Sequence, residues 1–304
     1  MKRSVLVLSV IVIMLSSMMF LGISSTTTTE SPRHSDANEM VVRLPQAPEQ
    51  LDFCGERVPL ERQDIKESLD RELLVTTFGH TGTILNIKRS WRYFPIIEKV
   101  LKENNVPEDF KYLVVAESSL METAQSPAKA CGLWQFIEST AKEYGLEVNN
   151  EVDERYSIVK SSQAACAYLK KAYDRLGSWT MVAASYNGGM NGISRAMSNQ
   201  KQNSYYDILF GEETARYVFR ILAYKVVLSN PEKYGFAFER NDDICYPLYE
   251  TRTIVVDTAI RDIAQFAIDN GTTYKQVKLL NRWLRQNQLT NSRHRSYEIL
   301  LPKD

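Results

Sequence analysis

The chain has 304 residues and balances 37 basic against 37 acidic side chains, so its formal net charge is zero; a nucleic-acid binder, which needs a basic excess against phosphate, is disfavoured. That length fits one large domain or two modest ones. The sixteen tyrosines suit the mixed faces of a sugar but are equally at home in a core, so composition goes no further.

The first element is an apolar stretch from Val5 to Ile23, preceded by Lys2 and Arg3 and followed by the polar tract Thr26 to Ser31. This charged, apolar, small-residue order is that of a secretory signal, with Gly22 and Ser24 small enough to flank cleavage after Ser24. The alternative is an uncleaved anchor that associates the chain with a membrane through its N-terminus, since the stretch is nearly long enough to span one. Either way the protein is expected to be exported, to the periplasm or cell envelope. Residues 25–62, punctuated by Pro32, Pro45, Pro48 and Pro59, read as a linker or arm.

Helical periodicity dominates the next segment, 63–240. Ile65, Leu69, Leu73 and Phe78 mark one helix and Trp91 to Leu101 a second. Pro107 opens a third, with Glu108 and Asp109 in its first turn. Ala164 to Leu176 forms a fourth, stopped by Gly177. Thr180 to Tyr186 is short; Thr214 to Leu228 is long and ends before Pro231. Beyond Pro247 the pattern changes. A β-branched run, Thr253 to Val256, precedes helices over Ile260 to Ala267 and Tyr274 to Leu284, and a closing strand covers Tyr297 to Leu301. This βααβ order over 248–304 is a small module by size. Four cysteines, Cys54, Cys131, Cys166 and Cys245, have no metal-like spacing. Cys131 and Cys166 read as small buried residues, and Cys54 and Cys245 as a candidate disulfide in an oxidising compartment.

In the third helix Phe110, Leu113, Val114 and Glu117 fall at i, i+3, i+4 and i+7, which puts Glu117 on the apolar face at the last turn. A carboxylate there must be paired, hydrated in a cleft or protonated. Desolvation would raise its pKa, as a general acid requires. Periodicity alone leaves open a helix-end glutamate that turns to solvent or pairs with a nearby lysine.

The residues that follow narrow that choice. Glu117-Ser118-Ser119, Ser126-Pro127, Gly132-Leu133-Trp134-Gln135-Phe136 and Ser185-Tyr186-Asn187-Gly188-Gly189 stand in order. Tyr144-Gly145-Leu146, Val152-Asp153-Glu154-Arg155, Ala167-Tyr168-Leu169 and Asn230 to Gly235 accompany them. Together they resemble the lytic transglycosylase domain of the goose-lysozyme-like superfamily, nearest to the membrane-bound lytic murein transglycosylase D group, over roughly Trp91 to Phe236. The resemblance implies a mainly α chain: a lysozyme-like helical catalytic domain followed by the βααβ module, which itself resembles a degenerate LysM domain.

It also implies roles. Glu117 matches the catalytic glutamate and Ser126 a serine near the reacting sugar hydroxyl. Gln135 matches a cleft residue, Tyr186 and Asn187 a pair beside the carboxyl, and Glu213 and Tyr217 residues of a later helix that closes the cleft. Each has a plainer reading: Ser126 as a turn residue, Tyr217 as part of an apolar stripe with Ile221, Tyr224 and Leu228, and Glu213 as a first-turn acid. Lys129, Cys131, Ser185 and Gly188 depart from the usual pattern without removing a reacting group. No second carboxylate is indicated for a two-acid mechanism; Glu122, roughly 140° around a continued helix, is a poor partner.

The function so implied is cleavage of the β-1,4 linkage between N-acetylmuramic acid and N-acetylglucosamine in peptidoglycan, leaving 1,6-anhydro ends. It requires no metal or organic cofactor, and its partner is the glycan strand. The LysM-like module would add a grip on N-acetylglucosamine or serve only to stabilise the domain. Competing readings are a hydrolytic muramidase of lysozyme type and a non-catalytic wall-binding protein that has kept the cleft.

Overall fold

The computed structural model describes residues 43–237 and 245–303. The expected signal segment, residues 25–42 of the expected arm and the end of the 63–240 segment lie outside the described residues. Ten α-helices, three short 3-10 helices and two small antiparallel sheets make up the described elements. Residues from Leu44 onward form one compact unit.

The unit opens on a hairpin, β1 (Asp52–Phe53) and β2 (Glu56–Arg57), turned through Cys54 and Gly55 at φ 55° and 81°. Here the described part of the expected arm behaves as part of the body rather than as a spacer. Phe53 is fully buried and meets Phe110 edge-on, with ring centroids 5.4 Å apart. The Glu56 carboxylate accepts hydrogen bonds from Ser178 Oγ, the Trp179 and Thr180 amides and Thr180 Oγ1 at 2.6–2.9 Å. A carboxylate from a distant segment thereby satisfies the first amides of α6 (Trp179–Gly188). Cys54 carries a free thiol, so the Cys54–Cys245 disulfide is not formed. Its amide donates instead to Asp109 at 2.6 Å.

Helices α1 (Gln63–Phe78) and α2 (His80–Glu103) follow. The second is longer at both ends than its apolar spacing indicates and carries Pro95 inside. Helix α3 (Phe110–Ser118) starts three residues after Pro107. Asp109 does not serve the helix dipole as expected; Lys225 Nζ pairs with it at 2.8 Å, and i→i+3 bonds fill the turn before the helix. Phe110, Leu113, Val114 and Val115 are fully buried, each such side chain contributing roughly 1.5–3 kcal/mol. Helices α4 (Glu138–Glu143) and α5 (Ile158–Leu176) come next, the latter stopped at Gly177 in the left-handed region, as its sequence predicts. Gly188 ends α6 and Gly189, at φ 72°, turns the chain into α7 (Met190–Gln200). Helix α8 (Glu212–Ser229) packs against α1, α3 and α6, and α2 lies on α5. The core therefore surrounds the middle of α3, leaving Lys111 of its first turn and its C-terminal turn near a surface.

The C-terminal module follows the expected order: β3 (Thr251–Val256), α9 (Ile263–Asp269), α10 (Tyr274–Leu280) and β4 (Tyr297–Pro302), with Thr251 opposite Pro302 and Val256 opposite Tyr297. Asp262 caps α9, and Thr273 with Gln276 forms a capping box on α10. Helix α10 ends at Leu280 rather than Leu284. The buried Asn281 side chain leaves the helical path to exchange hydrogen bonds with the Leu300 backbone of β4 at 2.7 and 2.9 Å.

Candidate active site

Glu117 occupies the last turn of α3, where Ser119 and Leu120 turn the chain through the left-handed region at φ 50° and 55°. The Ser119 amide closes on Val115, and Arg89 donates to the Ser119 carbonyl at 3.0 Å. The helix end is thus satisfied without the Glu117 side chain, which is partly buried and free for another use. The Tyr217 hydroxyl of α8 donates to Glu117 Oε1. Burial pushes the Glu117 carboxyl up from its ordinary 4.5 to about 7, with the Tyr217 bond and Arg220 pulling it down and Glu213 pushing it up. Desolvation wins, so the group holds its proton near neutrality and can release it there. Burial and the adjacent carboxylate hold the Tyr217 phenol well above its ordinary range, so it remains a donor.

Arg220 lies one turn after Tyr217 and is shared. Its guanidinium meets Glu213 at 3.1 Å and Glu72 at 3.9 Å; Glu72 is buried and also takes Arg216 at 2.8 Å. Both arginines pair with the same α1 acid, Glu72, which fixes the face that α8 presents to Glu117.

The second wall comes from α6 and α5. Tyr186 packs edge-on against Tyr168 at 5.2 Å and Phe136 at 6.3 Å, and its hydroxyl donates to the Trp134 carbonyl at 2.8 Å. The carboxylate of Glu117 helps raise the Tyr186 phenol, after burial; Glu117, Tyr186 and Tyr217 therefore form one electrostatic cluster. Asn187 is exposed, with Oδ1 accepting from Thr214 Oγ1 at 2.8 Å, which leaves its amide donors free. Gln135, Phe136, Tyr144, Tyr168, Tyr186 and Asn187 line a groove of ≈ 1020 Å³, and Lys171, Arg175 and Arg195 stand along it. Tyrosine faces beside amide and cationic groups are a surface for a polar, ring-shaped ligand.

The loop between α3 and α4 supplies the rest. Ser126 lies in a turn in which its Oγ accepts from the Ala130 amide at 3.1 Å. Gln135, at φ 51°, donates from Nε2 to the Gly132 and Ala124 carbonyls at 2.8 and 3.2 Å. Gly132 is at φ 76°, and a Cβ there would sit 2.0 Å from the Arg155 carbonyl oxygen, so only glycine fits.

Residues 94–209 match the family model described as the transglycosylase SLT domain, and residues 252–304 that of the soluble lytic transglycosylase C-terminal LysM-like domain. The chain carries an SLT domain. It is 29% identical over 201 residues to membrane-bound lytic murein transglycosylase D of Escherichia coli K12, across 63% of this chain and 43% of that protein. It thus spans less than half the length of that relative. It is also 29% identical over 137 residues to a putative tributyltin chloride resistance protein of Alteromonas sp. M-1, across 44% of this chain and 65% of that one. A solved structure, lytic transglycosylase Slt of Pseudomonas aeruginosa, aligns at TM-score 0.39 and 19% identity over 46% of this chain and 24% of that one.

The expected residues divide, with Glu213 and Tyr217 on α8, just beyond the matched residues 94–209. Glu117, Tyr186 and Tyr217 come together, and Gln135 and Asn187 share the groove. Ser126 Oγ is engaged within its own turn, and Glu213 makes no hydrogen bond to Glu117 but pairs with Arg220 and acts on the carboxyl through its charge. Tyr217 does more than close a cleft, since it is the direct partner of the carboxylate. Sequence reasoning does not single out Tyr144, Tyr168 or Arg220 as site residues. The first two stand inside recognisable sequence runs yet cannot be told from core tyrosines without the groove. Arg220 carries no local signal, because its role depends on Glu72 of α1, far away in the chain.

Proposed function

We propose that the protein is a peptidoglycan lytic transglycosylase in which Glu117 is the single acid and base. The observation that carries this reading is a partly buried carboxyl raised to about 7, held by Tyr217 and felt by Tyr186, a residue that lines the tyrosine-rich groove. Protonated Glu117 delivers its proton to the oxygen between N-acetylmuramic acid and N-acetylglucosamine. The bond to the anomeric carbon breaks, and the substrate's own N-acetyl group stabilises the electron-poor centre. Glu117, now a carboxylate kept in place by the Tyr217 hydrogen bond, takes the proton of the muramoyl C6 hydroxyl, whose oxygen closes the 1,6-anhydro ring. Attack from within one sugar needs orientation rather than water; the free Asn187 amide and the Gln135 loop supply polar contacts for it. Ser126 is assigned to the same sugar, Glu213 to tuning the Glu117 carboxyl by its charge and by its pairing with Arg220, and the C-terminal module to glycan-strand contact.

Export to the cell envelope is part of the proposal, supported by the order of residues 2–31 in the sequence and by the word membrane-bound in the name of the Escherichia coli relative. Among the described residues no helix is long and apolar enough to cross a membrane.

Digestion of purified sacculi followed by muropeptide mass measurement tests the chemistry. Ends lighter by one water than hydrolysed ends are expected, with none from Glu117→Gln. Fully hydrated ends would make the protein a muramidase, and binding without release a non-catalytic wall protein.

A further inference from the structure

The stretch joining α10 to β4 is long, and its length goes into a seam with the SLT domain. The Arg285 amide donates to the Glu151 carbonyl at 2.7 Å, and the Asp153 amide to the Trp283 carbonyl at 2.9 Å. The Glu151 carboxylate accepts from the Thr290 amide and hydroxyl at 2.7 and 2.6 Å. Val152, a residue of the SLT domain, is buried in the module's own core beside Ile260, Leu284 and Leu289.

One step along from that seam is Arg155. It is almost fully buried beside Asp153, to which its Nε and Nη2 donate at 2.9 and 2.8 Å. Its remaining nitrogen, Nη1, points the other way and donates to the carbonyls of Lys129 and Phe136 at 3.0 and 3.3 Å. These two carbonyls flank the Gly132–Gln135 turn, and the Arg155 carbonyl is the group packed on Gly132. A buried guanidinium with an oriented fork holds a backbone in one geometry better than an ammonium could.

We propose that Arg155 is a positioning residue: seated by the C-terminal module through Asp153, it holds the 124–136 loop, and with it Ser126 and Gln135, in the shape the groove uses. The module then acts on the cleft mechanically, whatever it does with glycan. The consequence for substrate rests on the transglycosylase reading above; the mechanical tie does not.

Two variants of the full chain test it. Arg155→Lys keeps the charge opposite Asp153 but cannot serve both Asp153 and the two loop carbonyls. Val152→Asp puts a charge into the module's core and opens the seam. Amide hydrogen exchange is read at Ser126, Lys129, Cys131 and Gly132, whose amides close the loop, beside turnover of a soluble muroglycan fragment too short to reach the module. Both variants are expected to exchange roughly tenfold or more faster at those four amides, with α3 and α8 unchanged. KM for the fragment should rise about tenfold while kcat and its pH profile move less, because Glu117 and Tyr217 sit outside the tied loop. Wild-type exchange at the loop in Arg155→Lys, or in Val152→Asp with the Asp153 and Arg285 amides opened, would overturn the proposal. If Val152→Asp does not fold, Arg155→Lys alone decides. A wild-type protein that cleaves no glycan would remove the transglycosylase reading while leaving the exchange result to judge the tie.

Discussion

Replacing Glu117 by glutamine should abolish cleavage and, above neutrality, stabilise the protein. The carboxyl is at about 7 in the folded protein against an ordinary 4.5. Between those values the folded chain binds more protons than the unfolded one, so stability falls as pH rises through that window. The whole contribution is present below about pH 4.5 and lost above about pH 7. At roughly 1.4 kcal/mol per tenfold difference in proton affinity, the wild type gives up about 3 kcal/mol at pH 8.5 relative to a neutral group of the same shape. Glutamine is that group, and its Oε1 can still accept from Tyr217. For a domain of this size about 3 kcal/mol corresponds to roughly 6–12 °C in Tm. Thermal unfolding of both proteins at pH 4 and pH 8.5 is the assay. Glu117→Gln should unfold near the wild-type temperature at pH 4 and well above it at pH 8.5. A difference that does not change with pH would refute the desolvation argument.

Tyr217→Phe removes the donor that favours the charged form of Glu117; the basic limb of the rate profile should move above pH 7, and turnover should fall by about tenfold or more. A limb that stays or moves down would contradict the assigned hydrogen bond. Gly132→Ala places a Cβ 2.0 Å from the Arg155 carbonyl at φ 76°, and urea denaturation should show a loss of about 3 kcal/mol. Glu72→Ala strips the buried acid from Arg216 and Arg220; the cost should be about 3 kcal/mol, at the low end for broken buried pairs because both arginines keep some exposure. If that variant kept wild-type stability in the same denaturation, α8 would not be oriented by this pair.

The helices that bury one stripe could be read from spacing. Ile65, Leu69 and Leu73 outline α1 and are all buried, and Gly177 stops α5 where its sequence says. Elements held by distant partners could not. The hairpin at Phe53 looks like a spacer because its anchors, Phe110 and the start of α6, lie more than fifty residues away. The end of α10 moved because Asn281 bonds to β4, a strand whose position no local pattern encodes. Glu117 could be located on its helix face, with the upward shift that burial brings, but whether it is buried or turns to solvent depends on what surrounds it. Tyr217, a hundred residues later, and Arg220 are visible as partners only once α8 is seated by Glu72. Arg155 lies in a recognisable run, yet its reach to Lys129 and Phe136 is set by the fold alone.

A carbon-detected NMR titration of the glutamate side-chain carboxyls, assigned by comparison with Glu117→Gln, reads the proton on this residue directly. The missing resonance should titrate in the wild type near pH 7, well apart from the exposed glutamates. A Glu117 carboxyl that titrates between pH 4 and 5 would mean that it is already charged at neutral pH and has no proton to give the glycosidic oxygen.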